Sequence, residues 1–200
     1  MKQRKITDKL FEEYRRRLAL NGLAQHFIST KNARGLFKQA VNCMVGVKEA
    51  TGNNDGEWVE EFQKTVDSKA QGEPWCMAFI QSCIAYVERE IGVVSRFPVT
   101  EHCQTAWRDL PADMRVKNIP LPGAIALWAY VGTSKGHVEM LEEYIDGKYF
   151  PAAGGNTSGY VIPVKNGKST VNREGNGVFY TWRKHGIAGD LKLLGFAKPF

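Results

Sequence analysis

The hydrophobic pattern of this 200-residue chain changes period once, near Pro122, and that change limits what the chain can fold into. Ahead of it, apolar side chains recur every three to four residues, the repeat of a helix with one buried face. Leu10, Phe11, Tyr14, Leu18 and Leu23 predict one amphipathic helix from Thr7 to about Thr30, with Arg15, Arg16 and Arg17 on its solvated side. Leu36, Phe37, Ala40, Val41, Met44 and Val45 mark a second helix, closed by the turn-rich TGNNDG at 51–56, and Trp58, Phe62 and Val66 mark a third. The best-marked helix lies in PWCMAFIQSCIAYVEREIG. There Pro74 suits the first turn, Phe79, Ile80, Cys83, Ile84 and Val87 form the buried stripe, and Gly92 is the stop. Beyond Pro122 come the short strand-like runs AIALWAYV, HVEMLEEYI, KYFPAA and GVFYTWRK, separated by Gly, Asn and Asp. Helices first and strands afterwards predict an α+β domain, N-terminal helices followed by an antiparallel β-sheet, rather than an alternating fold.

The length allows one sizeable core and a small appendage. No stretch approaches the ~18 unbroken apolar residues of a membrane span, so no integral membrane association is expected. The N-terminal MKQRKITDKLFEEYRRRLAL is basic but lacks the apolar stretch of a secretory signal; synthesis in the cytoplasm without a signal peptide is the expectation. A formal charge of +6 favours polyanions, among which charge alone does not choose. The cysteines, at 43, 76, 83 and 103, have neither Cys-x-x-Cys spacing nor the density of a disulfide scaffold and are expected to be mostly reduced.

Cys76 falls in the first turn of its helix, where unpaired backbone N–H groups and the positive end of the helix dipole favour a thiolate, so it is the candidate nucleophile. Cys83, seven residues on along the buried stripe, is expected to be a small core residue. A nucleophilic thiol needs a base. Asp146-Gly147 is a favoured two-residue hairpin turn, so residues whose numbers sum to 293 should face each other, and this register sets His137 opposite Asn156. Directly opposed side chains are close enough for the amide to fix the imidazole tautomer. Cys76, His137 and Asn156 are thus the expected catalytic residues. Pro151 is the weak point of the register because it invites a bulge, and Glu139, on the same strand face as His137, is the reserve orienter. Gln71 is a candidate oxyanion donor beside the Cys76 N–H. His26, His102 and His185 are assigned no catalytic role, and Trp75 and Trp128 are expected in the core.

The segments GEPWCMAF, PGAIALWAYVGTSKGHVEML and GGNTS resemble those of the CHAP family, cysteine- and histidine-dependent amidohydrolases and peptidases of papain-like fold. The likeness covers roughly residues 36–200. It implies a papain-like cysteine hydrolase domain over 36–200, preceded by an N-terminal helical extension over 1–35. It further implies a peptidoglycan hydrolase that cuts an amide bond, as an N-acetylmuramoyl-L-alanine amidase or a peptide-crosslink endopeptidase, with Cys76 as nucleophile, His137 as base and Asn156 in polar support. Bacterial peptidoglycan is then the partner, with no nucleic acid, and the protein acts on the cell wall. It would do so as an endolysin-like phage lysin or as an injected effector with its secretion machine and immunity protein. Two departures stand out. Gly154 occupies the place where many relatives carry a glutamate, and SKAQGEPW offers only Glu73 where calcium-binding relatives have several aspartates, so neither a metal nor any other cofactor is expected.

Gly132-Thr133-Ser134-Lys135-Gly136 matches the Gly-x-Ser-x-Gly of serine hydrolases, but a hairpin follows it where that motif needs a helix. Apart from the adjacent His102 and Cys103, no Cys/His pair has the usual zinc-ligand spacing, and a zinc site is not expected. The non-enzymatic alternative is a wall-binding or structural module that keeps the fold without turnover, a reading that the glycine at 154 favours.

Overall fold

The computed structural model describes residues 3–145, 149–161 and 172–200; the expected Asp146-Gly147 turn lies outside them. Six α-helices come first among these residues, α1 Asp8–Leu18, α2 Gly22–Ser29, α3 Ala33–Cys43, α4 Glu57–Asp67, α5 Cys76–Ile91 and α6 Cys103–Asp109. Six strands follow, β1 Ile125–Tyr130, β2 Gly136–Leu141, β3 Tyr149–Gly159, β4 Asn172–Lys184, β5 Ile187–Ala188 and β6 Leu191–Ala197. They form one antiparallel sheet in the order β4-β3-β2-β1-β6-β5. The class is α+β.

Capping explains the first helices. Thr7 accepts from the Leu10 N–H to start α1. The single helix expected from Thr7 to Thr30 is in fact two, because Asn21 adopts an extended conformation and accepts from Ala24 N–H, starting α2. Leu23 is consequently exposed, off the stripe that Leu10, Phe11, Tyr14 and Leu18 bury. The arginine run is held by carboxylates: Arg16 and Arg17 pair with the buried Glu13, and Arg15 with Glu90. Leu10, Phe11, Tyr14 and Leu18 belong to the same core cluster as α5, and Arg4 bonds Gln81 and Glu88 on that helix. Residues before 35 thus pack into the core that surrounds Cys76.

Helix α5 is the centre of the molecule. Phe79, Ile80, Cys83, Ile84 and Val87 are all buried, and so is most of the opposite face, because α3 and α4 pack against one side and β2 and β3 against the other. At ~1.5–3 kcal/mol for each large apolar side chain fully buried, the position of α5 is among the most strongly fixed in the fold. Pro74 precedes the helix and Cys76 is its first residue.

Pro151, expected to disturb the sheet, stands directly opposite Trp182 with no shift, and its carbonyl accepts from Glu142 N–H just past the end of β2. The missing N–H therefore falls where the β2–β3 ladder has already ended. The irregularities lie further on, between Gly154 and Thr157 and between Thr157 and Gly159. Strands β5 and β6 were not expected from the pattern. Strand β6 pairs with β1 through a register shift at Leu127/Trp128, and this breaks the alternation that would have announced it.

Candidate active site

Trp75 precedes α5, and no side chain caps the helix; its first backbone bond runs from Phe79 N–H to the Trp75 carbonyl. The buried Trp75 indole donates to Glu49 at 2.8 Å and fixes this end of the helix. Cys76 sits at the floor of a cleft of about 850 Å³, whose walls include Gln71, His102, Tyr130, His137 and Asp190. Its sulfur is 3.9 Å from that of Cys103. The Cys103 S–H donates to it, and this bond, with a further one from His137, holds the Cys76 thiol well below its ordinary pKa although burial works the other way. Cys103 is correspondingly held protonated.

His137 and Glu139 are two residues apart on β2 and therefore on one face. His137 Nε2 lies 2.9 Å from Glu139 Oε1, which leaves Nδ1 for the Cys76 sulfur. Burial opposes the imidazolium, but the bonds to Cys76 and Glu139 outweigh it and raise the His137 pKa to about 9. Glu139 is fully buried. Burial raises its pKa, yet Arg183, with one bond of 2.8 Å to Oε2 and a second to Oε1, keeps the carboxylate ionised far into acid, assisted by His137. Thr181 donates to Oε2 at 2.7 Å, so both carboxylate oxygens are satisfied. Arg183 Nη2 also lies 3.1 Å from His137 Nε2; since that nitrogen carries the proton given to Glu139, this is one donor packed beside another.

Gly154 explains how Thr181 and Arg183 reach a glutamate two strands away. The β2–β3 register is the expected one, with Met140 opposite Ala153 and Leu141 opposite Ala152. Continued by one residue, it sets Gly154 beside Glu139, and a Cβ at Gly154 would lie 2.6 Å from Glu139 Cγ. The small residues Ala152 and Gly154 open the gap on β3 across which β4 supplies its arginine and threonine. The carboxylate beside the His137 imidazole thus rises from β2 itself, next to Gly154.

Asn156 does not meet His137. It has a left-handed backbone, φ 52°, inside the irregular stretch of β3, and its amide donates to Glu49 at 3.1 Å and to Asn54 at 3.2 Å. Glu49 therefore gathers Trp75, Asn156 and the Asn54 backbone, and Asn156 braces the loop ahead of the thiol helix. The expected base–Asn156 bond is corrected to a base–Glu139 bond, because the bulge turns the Asn156 side chain away from the position that straight pairing would give it.

Gln71 is exposed at the cleft, and Ser134 lies in the β1–β2 hairpin, without the strand-to-helix turn that a serine nucleophile needs. Trp75 and Trp128 are core side chains. Among the other histidines, His102 precedes α6 on the cleft wall, and the His185 ring packs on Phe150. Sequence reasoning missed Cys103, Arg183, Thr181 and Glu49. The alternation of Thr181 and Arg183 was a visible signal that these two share a face. Nothing in the chain announced Cys103, 27 residues from Cys76.

Chemically, the arrangement is a buried thiolate–imidazolium pair, oriented by a carboxylate that is itself held by an arginine, opening on a cleft. No protein-family model, curated protein or solved structure matches the chain.

Proposed function

We propose that this chain is a papain-like thiol hydrolase of the CHAP kind that cuts an amide bond in bacterial peptidoglycan. The observation that carries the reading is the Cys76–His137–Glu139 relay at an uncapped helix start on the floor of an open cleft. The substrate class rests on the PWC, GHV and GNTS resemblance, and the +6 charge suits an anionic wall.

In the reaction the Cys76 thiolate attacks the amide carbonyl carbon. The N–H of Cys76, at a helix start that no side chain caps, receives the oxyanion, with Gln71 within the same cleft as a second donor. The His137 imidazolium gives its proton to the departing amine as the C–N bond breaks, leaving a thioester. Water then attacks this acyl group, with neutral His137 taking its proton, and Cys76 is released. Glu139 keeps Nδ1 aimed at the sulfur through both steps. The site the protein serves is the cell wall, as a phage lysin or as an injected effector guarded by an immunity protein.

Mass spectrometry of soluble fragments released from purified peptidoglycan by the wild type and by Cys76→Ala tests this reading. Fragments from the wild type alone are expected, and their new ends identify the bond as muramoyl amide or peptide crosslink. No fragments from either protein, across several wall types, would overturn the assignment in favour of a wall-binding module.

The pair also dictates a pH profile. The thiolate is lost only as pH falls through the lowered Cys76 value, and the imidazolium is lost as pH rises through about 9. Cleavage is therefore expected to form a plateau through neutrality and to fall on an alkaline limb near pH 9. Iodoacetamide at pH 6 to 7 is expected to label Cys76 fast, and Cys83, whose pKa burial pushes up to about 12, slowly. Equal, slow labelling of all four cysteines would contradict an activated Cys76.

A further inference from the structure

We infer that Cys103 is a resolving cysteine, which converts peroxide-oxidised Cys76 into a reversible Cys76–Cys103 disulfide inside the cleft. The two sulfurs are 3.9 Å apart, within hydrogen-bond contact of each other, and both residues line the same cleft. The remaining cysteines are placed differently. Cys83 bonds Tyr14, and Cys43 donates to the Ala40 carbonyl, both in the helical layer and off the cleft. Gly136, the residue before His137, makes room for the second thiol: a Cβ there would lie 2.8 Å from Cys103 Cβ. The neighbouring backbone thus lacks the side chain that would push Cys103 out of reach.

The chemistry is a two-step oxidation by hydrogen peroxide. The Cys76 thiolate attacks one peroxide oxygen; the S–O bond forms, the O–O bond breaks, and the departing hydroxide takes a proton to leave as water. Sulfur is oxidised by two electrons to the sulfenic acid. The Cys103 sulfur then attacks the Cys76 sulfur; the S–S bond forms, the S–O bond breaks, and hydroxide leaves as water with the proton from Cys103. Two thiols and one peroxide give one disulfide and two waters. The second step is favoured by the first, because the negative sulfur that keeps Cys103 protonated becomes neutral once it is oxidised. Closing the remaining gap needs a movement of about 2 Å to reach disulfide bond length. The disulfide hides the thiol from irreversible over-oxidation and holds the cleft latent until a reductant reopens it.

The test is intact-mass and peptide mass spectrometry after one to two equivalents of hydrogen peroxide. The wild type is expected to lose two mass units, to yield a Cys76–Cys103 linked peptide, and to regain rapid iodoacetamide labelling of Cys76 after dithiothreitol. Cys103→Ser is expected instead to progress to Cys76 sulfinic acid, which dithiothreitol does not reverse. Sulfinic acid in the wild type at the same rate as in Cys103→Ser, with no linked peptide, would overturn the proposal. The linked peptide is read on the unmutated chain, so misfolding of the variant leaves that arm intact. None of these readouts uses peptidoglycan, so a failure of the hydrolase reading stays separable from a failure of this one.

Discussion

Glu139→Gln is expected to slow peptidoglycan cleavage by about 10⁴-fold, the scale on which a base held in the wrong tautomer fails. The amide keeps the shape of the carboxylate, but it accepts through only one oxygen, and Arg183 competes for that oxygen. His137 loses the negative partner that helps raise its pKa to about 9. The sign follows: without the carboxylate the imidazolium is lost at lower pH, so the alkaline limb moves toward neutrality and the Cys76 thiolate weakens with it. Alkylation of Cys76 at pH 6 should slow in parallel, a readout that a purely structural role for Glu139 would not move. A loss under tenfold with an unmoved limb would mean that Glu139 does not orient the base.

The second large effect is on stability. Arg183→Leu is expected to cost about 3 kcal/mol in chemical denaturation at pH 7, the lower end of the range for removing one partner of a buried ion pair. It is the lower end because His137 and Thr181 still bond the stranded carboxylate. The cost is expected to shrink in acid. In the wild type the depressed Glu139 value means that its stabilisation is present above the usual carboxylate pKa of about 4.5 and is lost only as pH falls through the depressed value. In the variant Glu139 protonates sooner and relieves its own unpaired charge. The double variant Glu139→Gln, Arg183→Leu should recover part of the loss, since no isolated charge is left buried. A cost below 1 kcal/mol for Arg183→Leu alone would mean that water replaces the guanidinium.

Periodicity, turn residues and cap residues act over a few positions, and what depends on them was legible. The helical stripe on Phe79, Ile80, Cys83, Ile84 and Val87, the place of Cys76 in the first turn of that helix, the α+β order and the β2–β3 register at Met140/Ala153 all follow from near neighbours, although the helix starts at Cys76 and leaves Pro74 outside its first turn. The Thr7–Thr30 helix failed as a single element because stripe spacing outweighed the capping potential of Asn21, whose side chain stops one helix and starts another.

What surrounds Cys76 depends on contacts between residues far apart in the chain, and these the tertiary structure decided. Arg183 reaches Glu139 only because β4 lies beyond β3 and β3 offers Ala152 and Gly154 at the crossing. Asn156 turns to Glu49 only because β3 bulges there, and Cys103 meets Cys76 only because α6 packs beside β1 and β2. Local sequence placed Cys76 in the first turn of its helix, since a helix start is set within one turn. The carboxylate beside His137 and the thiol beside Cys76 depend on strand order and packing, which bring together residues that no local pattern links.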